Sequence, residues 1–158
     1  MALRPERDEH LTDLSFFMNV TAERGGIVVL STAGSGSAMD DSAAVVKLPT
    51  SSTADVQSGK PIGLLLNDVV DLDLTRQHIN YFKDEMQKGG KVLVLRRGTV
   101  TTDQVSGTPV GGEAAYFWTG GVLVGLSDAA TPVTGLQVGQ FLSTKDADGY
   151  CKVAIDIR

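Results

Sequence analysis

The chain contains 158 residues, of which 42% are hydrophobic and 21% are charged, and this length and composition suit one globular domain with a single core. Its net charge of -5 predicts a surface that repels phosphate backbones, so we expect no nucleic-acid partner. No stretch approaches the roughly 18 consecutive apolar residues of a membrane span, and the N-terminus lacks the apolar region of a secretory signal. We therefore expect no membrane partner and synthesis in a cytosol.

Residues 1–24 mix charged and aromatic side chains and follow neither the period of a strand nor that of a helix. We interpret them as an N-terminal arm, followed by a single β-rich domain over residues 25–158. Because the spacing of Leu11, Leu14 and Met18 also fits one short helical stripe, the alternative is a short helix packed on the chain's own domain.

Short apolar runs separated by turn residues follow the arm. The runs "GGIVVLST", "AAVVKLPT" and "PIGLLLNDVVDLDL" have the β-branched and aliphatic content of strands. The connectors "AGSGSAMDDSA" and "SSTADVQSGKP" are rich in the glycine, serine and aspartate that are typical of loops. This succession predicts a β-sandwich or a β-barrel.

One later segment favours a helix. In "TRQHINYFKDEMQKGG", Thr75 is a candidate N-cap, Ile79, Phe82 and Met86 have helical spacing, and the two glycines would end the helix. Because Ile79 also alternates with Tyr81, an extended conformation remains an alternative.

The C-terminal half again indicates strands. "KVLVLRRGTVTT" is the clearest of them, "AYFWTGGVLVGL" predicts a hairpin around Gly120 and Gly121, and "GQFLSTKDADGYCKVAIDIR" predicts two strands joined by a "DADG" turn. The whole chain is therefore expected to be all-β or β-dominated. We predict a compact β-barrel or β-sandwich domain with an extended N-terminal arm and at most one or two short helices.

The residues that most invite a catalytic or metal-binding interpretation are Asp68, Asp71, Asp73 and His78. Alternation predicts that Asp71 and Asp73 share an exposed strand face, and no metal-ligand spacing such as HExxH accompanies them. The "AGSGSA" loop lacks the Lys-Ser/Thr of a phosphate loop, and "DADG" lacks the glutamate that completes a calcium loop. We predict no catalytic residue, no metal and no cofactor.

Cys151 is the single cysteine and cannot close a disulfide within the chain. It lies on the apolar side of the alternating segment "YCKVAIDI", which predicts a buried thiol that packs as a small hydrophobic group.

Three aromatic residues, Tyr116, Phe117 and Trp118, are adjacent in the sequence. We expect these rings to fill the core or to form a possible subunit interface. The alternative is a platform that stacks on a sugar.

From about residue 58 onward, the chain resembles a known family in segment order and local style. "GKPIGLLLNDVV" precedes "GGKVLVLRRGTVTT", a strand pair rich in glycine and aromatic residues follows, and the chain ends in "VGQFLSTKDADGYCKVAIDIR". This arrangement resembles the head decoration (capsid cement) proteins of tailed bacteriophages. The resemblance carries no catalytic motif and says little about residues 1–57.

The resemblance implies a β-tulip-like structural protein on the outer surface of the phage head, made in the cytoplasm of the bacterial host. Its partners would be the major capsid protein, whose subunits it bridges and stabilises, and further copies of itself, with a trimer favoured. It also implies an N-terminal segment that becomes ordered on the capsid, commonly by adding to a sheet of the capsid protein.

The composition of the arm suggests where the capsid contact lies. Its apolar residues could pack on another protein, where apolar burial would offset the entropy lost on ordering. Burying two phenylalanines and two leucines at about 1.5–3 kcal/mol each would give roughly 6–12 kcal/mol before association costs. The predicted capsid-binding residues are Leu3, Arg4, Pro5, Leu11, Leu14, Phe16 and Phe17.

Two other functions stay open at this point. A head-fibre or glycan-binding adhesion module of the virion would use Tyr116 and Trp118. A small hydrolase or metal enzyme would use the acidic residues around His78.

Overall fold

The computed structural model describes residues 2–31, 45–50, 55–56, 60–69, 85–126 and 136–158. Strands dominate these ranges, which confirms the predicted β-rich fold. The strands are β1 (Asp8–Met18), β2 (Ala22–Glu23), β3 (Ile27–Leu30), β4 (Val45–Lys47), β5 (Pro61–Val69), β6 (Glu85–Met86), β7 (Lys91–Thr102), β8 (Ala114–Phe117), β9 (Leu123–Gly125), β10 (Gln137–Phe141) and β11 (Cys151–Asp156). A 3-10 turn covers Thr119–Gly121.

Five of these strands close into a ring. In the order β1, β4, β3, β5 and β7, each strand pairs with the next, and β7 pairs in turn with β1. The pairing of β1 with β4 is parallel and the other four pairings are antiparallel. A sheet that closes on itself in this way forms a small barrel.

The long strand β7 also belongs to a second group of strands. On the edge away from β1 it pairs first with β5, up to Leu95, and then with β11, from Arg97 onward. The sheet continues from β11 to β10, β8 and β9. A bridge between Val105 and Leu123 brings β9 back to the chain just after β7, so β7 connects the small barrel to the second group of strands within one sheet.

The core lies on both sides of the layer formed by β3, β5 and β7. Val28, Leu65 and Val94 belong to the cluster of the small barrel, whereas Ile27 and Leu64 belong to a larger cluster shared with the second group of strands. Because both faces of β5 are covered, its sequence is a continuous apolar run and does not alternate. Each such buried side chain stabilises the fold by about 1.5–3 kcal/mol.

Two turns in the C-terminal half confirm the sequence prediction. β8 and β9 pair as an antiparallel hairpin, and Gly120 and Gly121 in the connection have positive φ, which glycine adopts at no steric cost. The "DADG" turn joins β10 to β11. There the Asp146 carboxylate accepts the backbone amides of Asp148 and Tyr150 at 3.1 and 2.7 Å.

The described end of the helix predicted over residues 75–90 is not helical. Glu85–Met86 form β6, which pairs with β2, and the Met86 side chain is buried in the cluster of the small barrel. The helical prediction for these two residues is wrong, because cross-strand pairing and core burial outweigh the local helical spacing. The remainder of the predicted helix lies outside the described residues.

Membrane insertion through a helix finds no support in the described ranges, since no helix there is long and apolar enough to cross a bilayer.

Candidate interaction surface on strand β1

The segment interpreted as an arm is paired with the sheet in this structure. β1 runs antiparallel to β7, from Asp8 opposite Thr99 to Phe17 opposite Lys91. Because the segment is extended, the alternative of a short helix here is wrong. It contributes a strand to the barrel, while the boundary proposed after residue 24 stays a prediction.

Within the described residues, most of β1 has an open edge. On the side away from β7, β4 pairs only with Phe17 and Met18, so no strand in the described ranges lies beside Asp8–Phe16. We call this stretch the β1 edge. The unpaired amide and carbonyl groups of such an edge are a template for pairing with another chain.

Two leucines project from the β1 edge. Leu11 and Leu14 are 50% and 48% exposed. Phe16 is partly buried against the cluster of the small barrel. Leu11 and Leu14 are large exposed apolar side chains on this sheet edge, and they lie among the charged residues Asp8, Glu9 and Asp13. Paired exposed apolar side chains on a strand edge indicate a candidate interaction surface.

Three irregularities interrupt the pairing of β1 with β7. β1 has an extra residue at His10 and another at the step containing Leu14 and Ser15, whereas β7 has an extra residue at Arg96. Such bulges bend a strand, increase its twist and re-aim its side chains. The β1 edge therefore departs from a regular flat strand.

Asp13 supports the irregularity at Ser15. Its carboxylate accepts hydrogen bonds from the Ser15 hydroxyl and from the Ser15 amide, the latter at 2.8 Å. Partial burial acts to raise the pKa of Asp13, but these hydrogen bonds and the Arg96 charge lower that pKa overall. The carboxylate is therefore ionised at neutral pH and holds the bulge in place.

Two of the predicted contact residues are buried in the chain's own core. Leu3 forms a bridge with Thr102 and is 2% exposed. Phe17 is 4% exposed, and the Lys91 ammonium lies 5.6 Å from its ring centre. Neither side chain has surface left for a capsid protein in this conformation, so their apolar character is explained by the fold itself.

Arg4 is engaged within the chain as well. Its guanidinium lies 2.9 Å from the Asp146 carboxylate and 3.2 Å from that of Asp148, and it stacks 4.3 Å from the ring centre of Tyr150. Arg4 therefore fastens the N-terminus to the β10–β11 turn, while the neighbouring Pro5 is exposed.

The three adjacent aromatic residues divide between core and surface. Phe117 is fully buried, which confirms the core interpretation for this ring and leaves it no surface for a subunit contact. Trp118 packs partly buried against the same cluster. Tyr116, opposite Val124 in the hairpin, is also partly buried.

Cys151 is buried, as predicted, and donates a hydrogen bond to the carbonyl of Ser143 at 2.9 Å. Burial raises the pKa of its thiol, although hydrogen bonds with Ser143 act in the opposite direction. The thiol is therefore protonated at neutral pH and is not a nucleophile.

The acidic residues considered for catalysis are only partly covered by the structure. Asp68, in β5, pairs through its backbone with Val92 of β7, whereas Asp71, Asp73, His78 and the "AGSGSA" loop lie outside the described residues. Among the residues that the structure does describe, no group of three His, Cys, Asp or Glu side chains could hold a metal ion.

The structure thus brings Leu11, Leu14 and Phe16 together on one strand and separates them from Leu3 and Arg4. It also adds Arg96, which the sequence analysis did not single out. In the segment "LRRG", Arg96 and its neighbour Arg97 are indistinguishable, and only the bulge in β7 separates them.

Comparison with known proteins identifies no family for this chain. No family model matches it, and no curated protein matches its sequence.

Proposed function

We propose that the chain is a structural virion protein that binds the outer surface of a tailed-phage head and stabilises it by bridging major capsid protein subunits. The segment order from residue 58 to the C-terminus is the source of this proposal. The observation that supports it most directly is the β1 edge, a strand edge that no other described strand covers and that carries two exposed leucines. The activity is mechanical reinforcement and needs no catalytic group.

The β1 edge offers two kinds of binding free energy. An extended segment of the capsid protein can add to the edge through backbone hydrogen bonds, as in β-strand addition. Leu11 and Leu14 are each about half exposed, so burying the remainder contributes roughly half of the 1.5–3 kcal/mol of a whole leucine, or about 1.5–3 kcal/mol for the pair. This apolar contribution is smaller than the sequence alone suggested, because Phe17 is already buried in the chain's own core.

A modest contact of this kind suits a repetitive shell. Each copy that also touches neighbouring copies binds with a high effective concentration at its second site, so many weak contacts give lasting attachment. Self-association, with a trimer favoured, is part of the proposal. Sedimentation equilibrium of the free protein measures the oligomeric state directly.

The proposal is tested by co-sedimentation with heads of the phage that encodes the chain, assembled without it. Deleting residues 1–20 would remove Leu3 and Phe17 from the core, so point substitutions are the sharper tool. We expect the wild type to bind at a stoichiometry fixed by the lattice and the double variant Leu11→Ser, Leu14→Ser to bind at least tenfold more weakly.

Leu142→Ser is the matched control, because Leu142 is 46% exposed and lies just beyond β10. It should bind like the wild type. Failure of the wild-type protein to bind competent heads would contradict the proposed function. Equal losses in the double variant and in Leu142→Ser would keep the function but remove the β1 edge as its contact.

A further inference from the structure

Arg96 carries a buried donor without a partner. In the described part of the chain, its Nε is the one buried side-chain nitrogen or oxygen that has no hydrogen-bond partner. An unpaired buried donor is unfavourable, and native proteins contain few of them, usually for an identifiable reason. The side chain needs an acceptor that the described part of the isolated chain does not provide.

The position of Arg96 connects it with the β1 edge. It is the extra residue of β7 between the Leu11–Arg97 and Thr12–Leu95 pairs. Its backbone is fixed, since its carbonyl accepts the amide of Ile157 at 2.9 Å. At about 3.3 Å per residue along a strand, the exposed leucines of the β1 edge lie within about 10 Å of this position.

The acidic groups described on the strands beside Arg96 have partners of their own; Glu9, for example, pairs with Arg7. The described hydrogen bonds of the Asp13 carboxylate are those with Ser15, so Asp13 acts on Arg96 through its charge. Asp156, on the other side of β7, lies 3.8 Å from the guanidinium of Arg97. A carboxylate from outside would therefore meet a guanidinium that still has a free donor.

We propose that Arg96 receives an aspartate or glutamate side chain from the protein segment that adds to the β1 edge. The inference rests on the proposed function and deepens it, because it specifies the partner segment: extended, apolar where it covers Leu11 and Leu14, and acidic where it meets Arg96. Binding draws the guanidinium toward the incoming carboxylate, and the planar fork of arginine pairs with both carboxylate oxygens.

The exposed Leu11 and Leu14 favour a protein partner over a free anion. A small free anion would satisfy the guanidinium but would leave Leu11 and Leu14 exposed. A protein segment satisfies the donor, pairs with the open strand edge and covers both leucines at once. The combination of features therefore fits a polypeptide that carries a carboxylate.

The test compares three variants of the full chain in binding to phage heads assembled without it. Arg96→Met removes the guanidinium and should weaken binding at least tenfold. Arg96→Lys keeps the charge but loses the planar fork, and should weaken binding by about threefold to tenfold. Arg97→Met is the control on the adjacent residue, whose side chain is 61% exposed, and should bind within twofold of the wild type.

The melting temperature of the free protein supplies a second readout. Because Arg96→Met removes an unpaired buried donor, we expect the variant to melt about 2–4 °C above the wild type while binding less well. A lower melting temperature together with weaker binding would assign Arg96 to the fold and overturn the proposal. Unchanged binding of Arg96→Met would overturn it too.

The two proposals fail in different ways. If the wild type does not bind heads, the proposed function itself is contradicted. If the wild type binds and Arg96→Met binds equally well, only the role of Arg96 is lost.

Discussion

At the scale of single residues, glycine at position 139 makes the second group of strands possible. A Cβ atom added to Gly139 would overlap the carbonyl oxygen of Ala154 on the neighbouring strand. We expect Gly139→Ala to lower the free energy of unfolding by about 1–3 kcal/mol, the usual cost of overpacking. Urea denaturation measures it, and Gly111→Ala, where an added Cβ meets only ordinary contacts, should stay within about 0.5 kcal/mol of the wild type.

Because of Asp55, the free energy of unfolding depends on pH in the acidic range. The Thr50 amide donates to its carboxylate at 2.8 Å and Lys47 pairs with it at 3.0 Å, and these contacts lower the pKa of Asp55 to about 2. Because the folded pKa lies below the unfolded value of 3.8, the carboxylate stabilises the fold above about pH 4. This contribution, up to about 2 kcal/mol, is lost as the pH falls toward 2.

We therefore expect Asp55→Asn to be less stable than the wild type at pH 7, and expect the difference to shrink between pH 4 and pH 2. Urea denaturation at a series of pH values measures both proteins. A difference that stays constant over this range would show that the Asp55 charge does not contribute to the stability of the fold.

At the scale of elements, the contacts of Arg4 hold the start of the N-terminal segment, and we call them the clasp. Arg4 contacts two aspartates and the Tyr150 ring at the β10–β11 turn. We expect Arg4→Ala to speed hydrogen exchange at the Arg4 amide, which donates to Thr101 at 3.0 Å. Exposed ion pairs contribute little, so global stability should change by less than about 1 kcal/mol.

Exchange measured by mass spectrometry or NMR checks this expectation, with the exposed Glu6 replaced by alanine as the control. If the amide at position 4 had the same protection factor in Arg4→Ala as in Glu6→Ala, the clasp would have no role in holding the segment.

Some of the strands could be predicted from the sequence and others could not. β3, β5, β7 and the two C-terminal hairpins were predictable, because apolar runs bounded by glycine and aspartate turns encode them locally. β1 was not, since three register irregularities break its alternation and both of its faces are largely exposed. β6 was missed because Met86 is fixed by pairing with Ala22, a contact between residues distant in the sequence.

Only part of the candidate surface was predictable, because the exposure of a side chain depends on the tertiary structure. The sequence identified Leu11 and Leu14 as apolar residues in an unusual place, but it could not separate them from Leu3 and Phe17, which the fold buries. Arg96 differs from Arg97 only through a bulge in β7. Which side chains remain exposed and which donors remain unpaired are properties of the tertiary structure.

At the scale of the whole molecule, β7 belongs both to the small barrel and to the second group of strands, and β1 pairs with β7 on the side opposite to the β1 edge. A partner that adds to the β1 edge would therefore be coupled, through β1, to the strand that joins both parts of the core. Because β1 is already paired with β7 before binding, its backbone loses little further conformational freedom when a partner adds to it, which favours attachment. This arrangement suits a protein whose proposed role is to resist deformation of a shell.

The central claim is that the chain stabilises a phage head through the β1 edge. The most direct measurement is the temperature at which DNA-filled heads release their DNA, followed with a DNA-binding dye, for bare heads and for heads saturated with the protein. We predict release at a higher temperature with the wild type, and release like that of bare heads with the Leu11→Ser, Leu14→Ser variant. Release at the same temperature from bare and wild-type-saturated heads would contradict the account.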